Sequence, residues 1–288
     1  MLQVYHAFFR EEGVTVDLVL LFKAVIMGLV EGLTEFLPVS STGHLIIAGQ
    51  LLDFLDHDRR AVFEIAIQLG AILAVCWVYR ARLWAVASSL QQAGSRRFVF
   101  NLLLAFLPAA LLGFFLIQPI KFYLFNPVAV ACALVAGGVL ILWAEKRQHA
   151  VTIQNVDDMC WKDALKIGCA QALALIPGTS RSGATIIGGL LFGFTRQAAT
   201  EFSFFLAIPT MFCATGYELF KARALLSMDD AGLFVVGFVV AFISGMLAVR
   251  GLIYYVQRHD FAVFAWYRIA FGLLILVTAQ FNWVAWAG

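Results

Sequence analysis

The chain has 288 residues, of which 62% are apolar and only 13% are charged, about half the charged share usual in soluble proteins. So few charges cannot cover a water-exposed surface, and the composition predicts an integral membrane protein. The 20 Lys and Arg residues nearly balance the 18 Asp and Glu residues, which excludes a nucleic-acid-binding protein.

The chain begins MLQVYHAFFREEG, without the basic stretch, apolar run and cleavage site of a removable signal peptide. We therefore expect this segment to be retained. Its aromatic residues and Arg10 suit a short helix on the bilayer surface, and an irregular terminus is the alternative.

Six apolar runs have the composition of membrane spans, which need about 20 mostly apolar residues. The first and fourth are shorter than this and need polar flanking residues to complete the crossing. The runs are 65–79, 98–120, 122–144, 202–217, 231–249 and 269–288.

Two further apolar stretches, 18–52 and 165–195, are interrupted near their middle by FLPVSSTGH and IPGTSRSGAT. Each pattern predicts a helix, a break and a second helix. Non-helical backbone is tolerated at membrane depth only where protein or a watery cavity surrounds it, so we expect two re-entrant hairpins that line a site. Two kinked but complete spans are the alternative.

The two broken stretches resemble each other, and each is followed by a span that opens with an acidic residue. Gly28 and Glu31 correspond to Gly168 and Gln171, and the two breaks align when Arg181 is treated as an insertion. The similarity predicts an internal duplication.

The predicted repeats are residues 1–155 and 156–288 of one membrane domain. Each repeat contains one hairpin and three spans, and this odd number of crossings inverts the second repeat relative to the first. The predicted fold class is therefore all-α: a polytopic integral membrane protein with six transmembrane helices plus two re-entrant helical hairpins in an inverted repeat.

The distribution of Lys and Arg predicts the orientation, because these residues favour cytoplasmic loops. If the N-terminus lies outside, nine of the Lys and Arg residues in short loops fall in the cytoplasm and four fall outside. Both termini should then be external. The first hairpin should enter from outside and the second from the cytoplasm, with their tips meeting near the midplane.

Glu31 and Glu35 stand four residues apart on the first arm of the first hairpin, hence on one helical face. Two like charges this close in a low dielectric would share a proton or a cation. Oxygen ligands favour Mg²⁺ or Ca²⁺ over zinc. The alternative is one protonated carboxyl, or a carboxylate paired with Arg181.

The first break carries Ser40, Ser41 and Thr42, followed by His44 at the start of the next helix. A His three residues after a Ser can reach its hydroxyl and remove its proton, which is the nucleophile and base pairing of covalent catalysis. The alternative is that these groups only cap the helix.

The second break combines small residues, a helix start and one Arg, a set suited to binding an anion, best of all phosphate. Arg181 as a purely structural counter-ion to Glu31 or Glu35 is the alternative. The polar members of this set are Thr179, Ser180, Arg181, Ser182 and Thr185.

The segments VEGLTEFLPVSSTGH and ALIPGTSRSGAT, the latter followed by ATEFSFFLAIP, closely resemble the signature segments of the bacterial undecaprenyl-diphosphate phosphatase family, which is linked to bacitracin resistance. The resemblance covers essentially the whole chain. It implies an inner-membrane enzyme, open to the periplasm, that uses a divalent cation. Such an enzyme removes the terminal phosphate of undecaprenyl diphosphate and regenerates the carrier lipid for peptidoglycan synthesis.

The resemblance also implies the roles of individual residues. The acidic pair is Glu31 and Glu35, the Ser and His are Ser41 and His44, and the phosphate-binding segment contains Ser180, Arg181 and Thr185.

The mechanism expected from these residues has Mg²⁺ or Ca²⁺ on the acidic pair and Arg181 on the terminal phosphoryl group. Ser41, deprotonated with help from His44 or a Glu, attacks in line, and water then releases phosphate. His44 or a metal-activated water as the attacking group are the alternatives.

The expected partners are the polyprenyl diphosphate lipid and the membrane, and a homodimer is left open. A polyprenyl-phosphate flippase or another inverted-repeat transporter is the alternative function. Such a carrier needs nearly the same headgroup site, and the fold alone does not separate the two.

Overall fold

A computed structural model describes residues 18–147, 150–223 and 230–281, and these residues form α-helices, two short 3₁₀ helices and no β-strand. The surface helix expected in the first 13 residues, and residues 282–288 of the sixth expected span, lie outside this part of the chain. The helices are α1 (Leu18–Phe36), α2 (Ser41–Leu51), α3 (His57–Val78), α4 (Arg80–Ser88), α5 (Ala93–Leu124), α6 (Pro127–Lys146), α7 (Trp161–Ala172), α8 (Arg181–Leu191), α9 (Arg196–Ala222), α10 (Ala231–Val256) and α11 (Ala262–Gln280).

Six helices in the described residues are long and apolar enough to cross a membrane: α3, α5, α6, α9, α10 and α11. Each overlaps one of the six apolar runs, so the prediction of six spans is confirmed. The third span begins at Pro127 and not at residue 122, because residues 122–124 are the end of α5. The sixth span was expected to begin after Arg268, at residue 269. It begins at Ala262 instead, which places Arg268 inside the helix.

Both broken stretches have the expected order of helix, break and helix. α1 and α2 flank a break at 37–40, and α7 and α8 flank a short 3₁₀ turn and a break at 176–180. α2 and α8 have 11 residues each, about 16 Å of helix, whereas a membrane core is about 30 Å thick. Neither helix can cross alone, which fits re-entrant hairpins, and entry from one side stays a prediction.

The two breaks have the same backbone conformation. Ser40 and Ser180 each directly precede a helix, with φ of 71° and 72°. Positive φ is uncommon outside glycine and persists where surrounding contacts hold it. Because Ser40 and Ser180 occupy equivalent points, the insertion at Arg181 is unnecessary, and Arg181 corresponds to Ser41.

The two halves of the chain exchange their hairpins. α1 packs mainly on α10, and α7 packs mainly on α5. Glycines permit both contacts: a Cβ on Gly28 would lie 2.6 Å from the Gly237 carbonyl oxygen, and one on Gly168 would lie 2.4 Å from that of Ala105. The predicted halves are therefore interleaved in one body, and this reciprocal packing supports the predicted duplication.

The largest buried apolar cluster surrounds α8 and the first half of α9. Phe202 and Phe204 are fully buried there, and Phe36 at the end of α1 meets the Phe204 ring edge-on at 5.7 Å between centroids. This core holds the start of α8 against the first break.

Candidate active site

The two breaks meet at one polar cavity of about 240 Å³. The remaining wall comes from α3, α5, α7 with the 3₁₀ turn that follows it, and α9. Six predicted site residues line the cavity: Glu35, Ser40, Ser41, Thr42, Ser180 and Arg181.

Glu35 is the centre of this cavity. The Ser41 hydroxyl donates a hydrogen bond of 2.6 Å to Oε2 of Glu35, and Nη2 of Arg181 donates one of 3.0 Å to Oε1. Glu35 and Arg181 are both largely buried, at 9% and 11% side-chain exposure. The first residue of α2 and the first residue of α8 therefore bind opposite oxygens of one carboxylate.

Arg181 has further contacts on the protein side. Nη1 donates to the Ser203 carbonyl oxygen at 3.1 Å, and Nη2 lies 3.5 Å from Sδ of Met211. Nε is buried and has no hydrogen-bond partner within the described chain. The guanidinium is thus fixed at the cavity wall with donor capacity left over, as an anion-binding residue requires.

His44 does not pair with Ser41, so the contact expected from their spacing is wrong. Nδ1 of His44 lies 2.7 Å from the Ser40 carbonyl oxygen and Nε2 lies 2.6 Å from the Tyr267 hydroxyl. Since a carbonyl only accepts, Nδ1 carries a proton, and when the ring is neutral Nε2 accepts from the Tyr267 hydroxyl. The ring stacks on Phe271 at 4.1 Å, facing α11 rather than the Ser41 hydroxyl.

Three of the expected phosphate-binding residues lie behind the cavity instead of lining it. The Ser182 hydroxyl donates to the Leu37 carbonyl oxygen at 2.8 Å, and the Thr185 and Ser203 hydroxyls are 2.6 Å apart. Ser182 and Thr185 are fully buried, and Thr179 lines a separate apolar cavity. Their contacts fix α8 against the first break and against α9.

Glu31 supplies the feature that fits a divalent cation. It is 1% exposed, and its Oε1 has no hydrogen-bond partner among the described residues. The carboxyl groups of Glu35 and Glu64 lie near enough to interact with it electrostatically. The described chain holds no group of three or more His, Cys, Asp or Glu residues placed for a metal. Two carboxylates suffice for Mg²⁺ when substrate phosphates supply further ligands.

Arg268 of α11 joins the two breaks and was not among the site residues expected from the sequence. This side chain is 1% exposed and donates hydrogen bonds of 3.1 Å to the carbonyl oxygens of Pro38 and Gly178, one in each break. It also binds carbonyl oxygens of Ala133 and Leu134 in α6. A charged residue inside an apolar span signals function or structure, and the predicted span boundary after residue 268 concealed this signal.

The chain matches the family described as bacitracin resistance protein BacA over residues 24–274, a range that includes both breaks and the whole cavity. The chain belongs to this family. It is 64% identical to the undecaprenyl-diphosphatase of Nitrosomonas eutropha over 94% of this chain and 99% of the relative. It is 64% identical to undecaprenyl-diphosphatase 2 of Rhodospirillum rubrum and 61% identical to the undecaprenyl-diphosphatase of Laribacter hongkongensis, again over 94% of this chain and 99% of each relative.

Proposed function

We propose that this chain hydrolyses undecaprenyl diphosphate to undecaprenyl phosphate and inorganic phosphate, and so recycles the carrier lipid of peptidoglycan synthesis. The family and the relatives named undecaprenyl-diphosphatase support this reaction. The observation that carries it is the Ser41 hydroxyl bound to Glu35, whose other oxygen is paired with Arg181.

In the first step, Oε2 of Glu35 accepts the proton of the Ser41 hydroxyl, 2.6 Å away, and the Ser41 oxygen attacks the terminal phosphorus. The bond from this phosphorus to the bridging oxygen breaks, and undecaprenyl phosphate leaves. Arg181 neutralises charge on the terminal phosphoryl oxygens during the attack.

In the second step, water attacks the phosphorus of the phosphoserine. The Ser41 oxygen leaves and regains its proton from Glu35, while the hydroxyl and the remaining proton of water go to the released phosphate. Glu35 therefore returns to its carboxylate form. Because His44 contacts Tyr267 and the Ser40 carbonyl, its proposed part is to hold the first break in position.

We also propose that Glu31 and Glu35 hold a divalent cation. When bound, Mg²⁺ or Ca²⁺ supplies electrostatic stabilisation of the diphosphate charge. The partnerless Oε1 of Glu31 and the neighbouring carboxyl groups of Glu35 and Glu64 support this assignment.

The proposed location is the bacterial inner membrane, with the site open to the periplasm. Six apolar helices and the bacterial family support a multi-pass membrane protein. Cysteine labelling in intact cells tests the orientation: cysteines at 122–126 should react with an impermeant reagent, and those at 85–95 should react only after permeabilisation. The reverse pattern overturns the proposed orientation.

Phosphate release from C₁₅ and C₅₅ prenyl diphosphates by purified protein, with and without a chelator, tests the reaction and the cation together. We expect release that stops with chelator and resumes when Mg²⁺ or Ca²⁺ is restored. Phosphate release that the chelator does not affect contradicts the proposed role of a divalent cation. No release, together with movement of the lipid between vesicle leaflets, overturns hydrolysis in favour of a carrier.

A further inference from the structure

Two apolar cavities of the described chain are large enough to take part of a prenyl chain. One, about 620 Å³, lies between α6, α7 and α8, and the other, about 360 Å³, lies between α5 and α9. We propose that the smaller one, the α5–α9 groove, binds the prenyl chain next to the diphosphate, and that Gln171 binds the phosphate that stays on the lipid. This inference rests on the proposed hydrolysis.

The α5–α9 groove is the better site for the prenyl chain because it is continuous with the polar cavity. Four residues line both: Ala109 of α5, Leu175 of the 3₁₀ turn, and Thr210 and Ala214 of α9. Within the described chain, no residue lines both the polar cavity and the larger apolar cavity. A lipid whose headgroup lies beside Glu35 can therefore extend its chain directly into the α5–α9 groove.

Gln171 lies on the polar cavity wall with an unsatisfied amide. The side chain is 1% exposed, and its Nε2 has no partner within the described chain. Its Oε1 is 3.3 Å from the Thr210 hydroxyl, which lies closer, at 2.7 Å, to the Leu206 carbonyl oxygen. One hydroxyl proton cannot serve both acceptors fully, so the amide is held weakly and its N–H groups can turn to a ligand.

The position of Gln171 suits a phosphate. It corresponds to Glu31 in the other hairpin, where a carboxylate with a partnerless oxygen suits a cation. At the same point of the second hairpin an amide offers N–H donors and brings no negative charge that would repel an anion. The duplicated positions thus provide an acceptor in one half and a donor in the other.

These contacts fix the direction of the substrate. The terminal phosphate lies at Ser41 and Arg181, where the Ser41 hydroxyl can attack it. The retained phosphate lies at Gln171, close to Thr210 at the junction of the two cavities. The first isoprene units then follow α5 and α9 away from the junction.

The position of the groove along the membrane spans agrees with the proposed orientation of the protein. Its walls come from the later parts of α5 and α9, from Phe106 and Thr210 onward. Both parts approach the proposed periplasmic ends of these spans. Tyr217 lies along the groove, and a Tyr is typical of the membrane–water interface.

The groove acts by steric alignment. Lipid is as apolar as the groove, so moving a prenyl chain from one to the other gains little hydrophobic free energy. A side chain that fills the groove should therefore misalign the diphosphate, and reduce turnover most for substrates long enough to occupy the groove.

Gly113→Leu tests the groove. A Cβ on Gly113 would lie 3.4 Å from Cδ2 of Leu175, an ordinary contact, so the larger side chain enters the groove without moving backbone. Gly216→Leu is the matched control, because it makes the same change on α9, away from the groove, with nothing within 4 Å of an added Cβ. The measurement is kcat/KM for C₁₅ and C₅ prenyl diphosphates.

We expect Gly113→Leu to lower the ratio of C₁₅ to C₅ kcat/KM at least tenfold, about 1.4 kcal/mol, and Gly216→Leu to leave it unchanged. An unchanged ratio in Gly113→Leu overturns the proposal that the groove binds the prenyl chain. If the unmodified protein hydrolyses neither substrate, the proposed reaction fails instead, and photolabelling still tests the groove. A C₁₅ monophosphate carrying a diazirine in its first isoprene unit should label α5 and α9, and labelling of the cavity between α6, α7 and α8 instead overturns the inference.

Gln171→Met tests the phosphate contact, because Met has a similar length and no N–H donors. We expect the inhibition constant of C₁₅ monophosphate, which carries only the retained phosphate, to rise at least tenfold, while that of inorganic phosphate changes less than twofold. Gln171→Glu should raise the first constant further through charge repulsion. Equal changes for both inhibitors, or no change, overturn the role of Gln171.

Discussion

The two helix breaks share a backbone and differ in chemistry. Ser40 and Ser180 have nearly identical positive φ angles. The residue that follows each of these serines begins a helix and binds Glu35. In the first break that residue is Ser41, and in the second it is Arg181. One backbone conformation, used twice, therefore presents the proposed nucleophile and a guanidinium group to a single carboxylate.

The breaks also differ in how they are held. The Ser180 hydroxyl accepts a 3.1 Å hydrogen bond from the Gly183 N–H, whereas the Ser40 side chain makes no such cap. The Ser40 carbonyl instead accepts the hydrogen bond from His44. Arg268 binds carbonyls of both breaks and keeps them in register.

Ser41→Ala should produce the largest effect, because it removes the proposed nucleophile from the first break while leaving the second intact. We expect kcat to fall at least about 10³-fold, with a trace retained by Ser41→Cys. The measurement is phosphate release from a C₁₅ diphosphate by folded, detergent-purified protein. Substantial turnover by Ser41→Ala shifts the attack to His44 or water.

His44→Ala is the control for this assignment. Because His44 binds Tyr267 and the Ser40 carbonyl, we expect a smaller loss than in Ser41→Ala. If His44 formed a phosphohistidine, His44→Ala would be irrecoverable and Ser41→Ala merely impaired.

Glu35→Gln should rank second, because it removes the proposed base for Ser41 and the charge paired with Arg181. We expect kcat to fall about 10²-fold or more, together with weaker dependence on divalent cation. Glu31→Gln is the matched variant one helical turn away, and it should affect mainly the cation concentration needed for half-maximal rate. Normal rates and unchanged cation dependence in both variants would show that Glu31 and Glu35 have only a structural role.

Arg181→Lys tests the second break. Lys keeps the positive charge but loses the planar set of donors that binds Glu35 and the Ser203 carbonyl, and that is proposed to bind a phosphoryl group. We expect kcat/KM to fall at least roughly tenfold, about 1.4 kcal/mol. Unaltered kinetics in the Lys variant, with misfolding of Arg181→Ala, identify a structural counter-ion.

The smallest expected difference concerns the caps. Ser180→Ala removes the hydroxyl that accepts from Gly183 and should lower the free energy of unfolding by about 1 kcal/mol, whereas Ser40→Ala removes no cap and should lower it less. Thermal unfolding of the two variants in the same detergent measures this difference. Equal losses show that the caps do not distinguish the breaks.

Much of the fold was predictable from local pattern. The six spans follow from their apolar runs, and the positions of both breaks follow from Pro, Gly, Ser and Thr clustered within a few residues. Single prolines at 108, 119 and 209 lie inside continuous helices, so the cluster and not proline alone marks a break. The start of the sixth span was misplaced because Arg268 was treated as a boundary. Its charge is tolerated in the helix since four backbone carbonyls accept its hydrogen bonds.

The site was predictable in composition and less so in geometry. Glu35, Ser41 and Arg181 line the cavity, as their pattern indicated, whereas Ser182 and Thr185 face the protein interior. Successive residues of a helix point in different directions, so a polar cluster in sequence is divided between cavity and core. Only the packing of α8 decides which members face the cavity.

The sequence by itself determined the membrane class, the number of spans and the two breaks, because hydrophobic length and helix-interrupting residues act over a few turns of chain. Tertiary structure decided the partner of Ser41. A hydroxyl at the start of α2 can reach a His on its own helix or a carboxylate on the preceding one, and local spacing permits both. The stacking of His44 on α11 and the pairing of Glu35 with Arg181, 146 residues away, place the carboxylate beside the hydroxyl. Contacts between groups so distant in sequence form only when the interleaved hairpins pack.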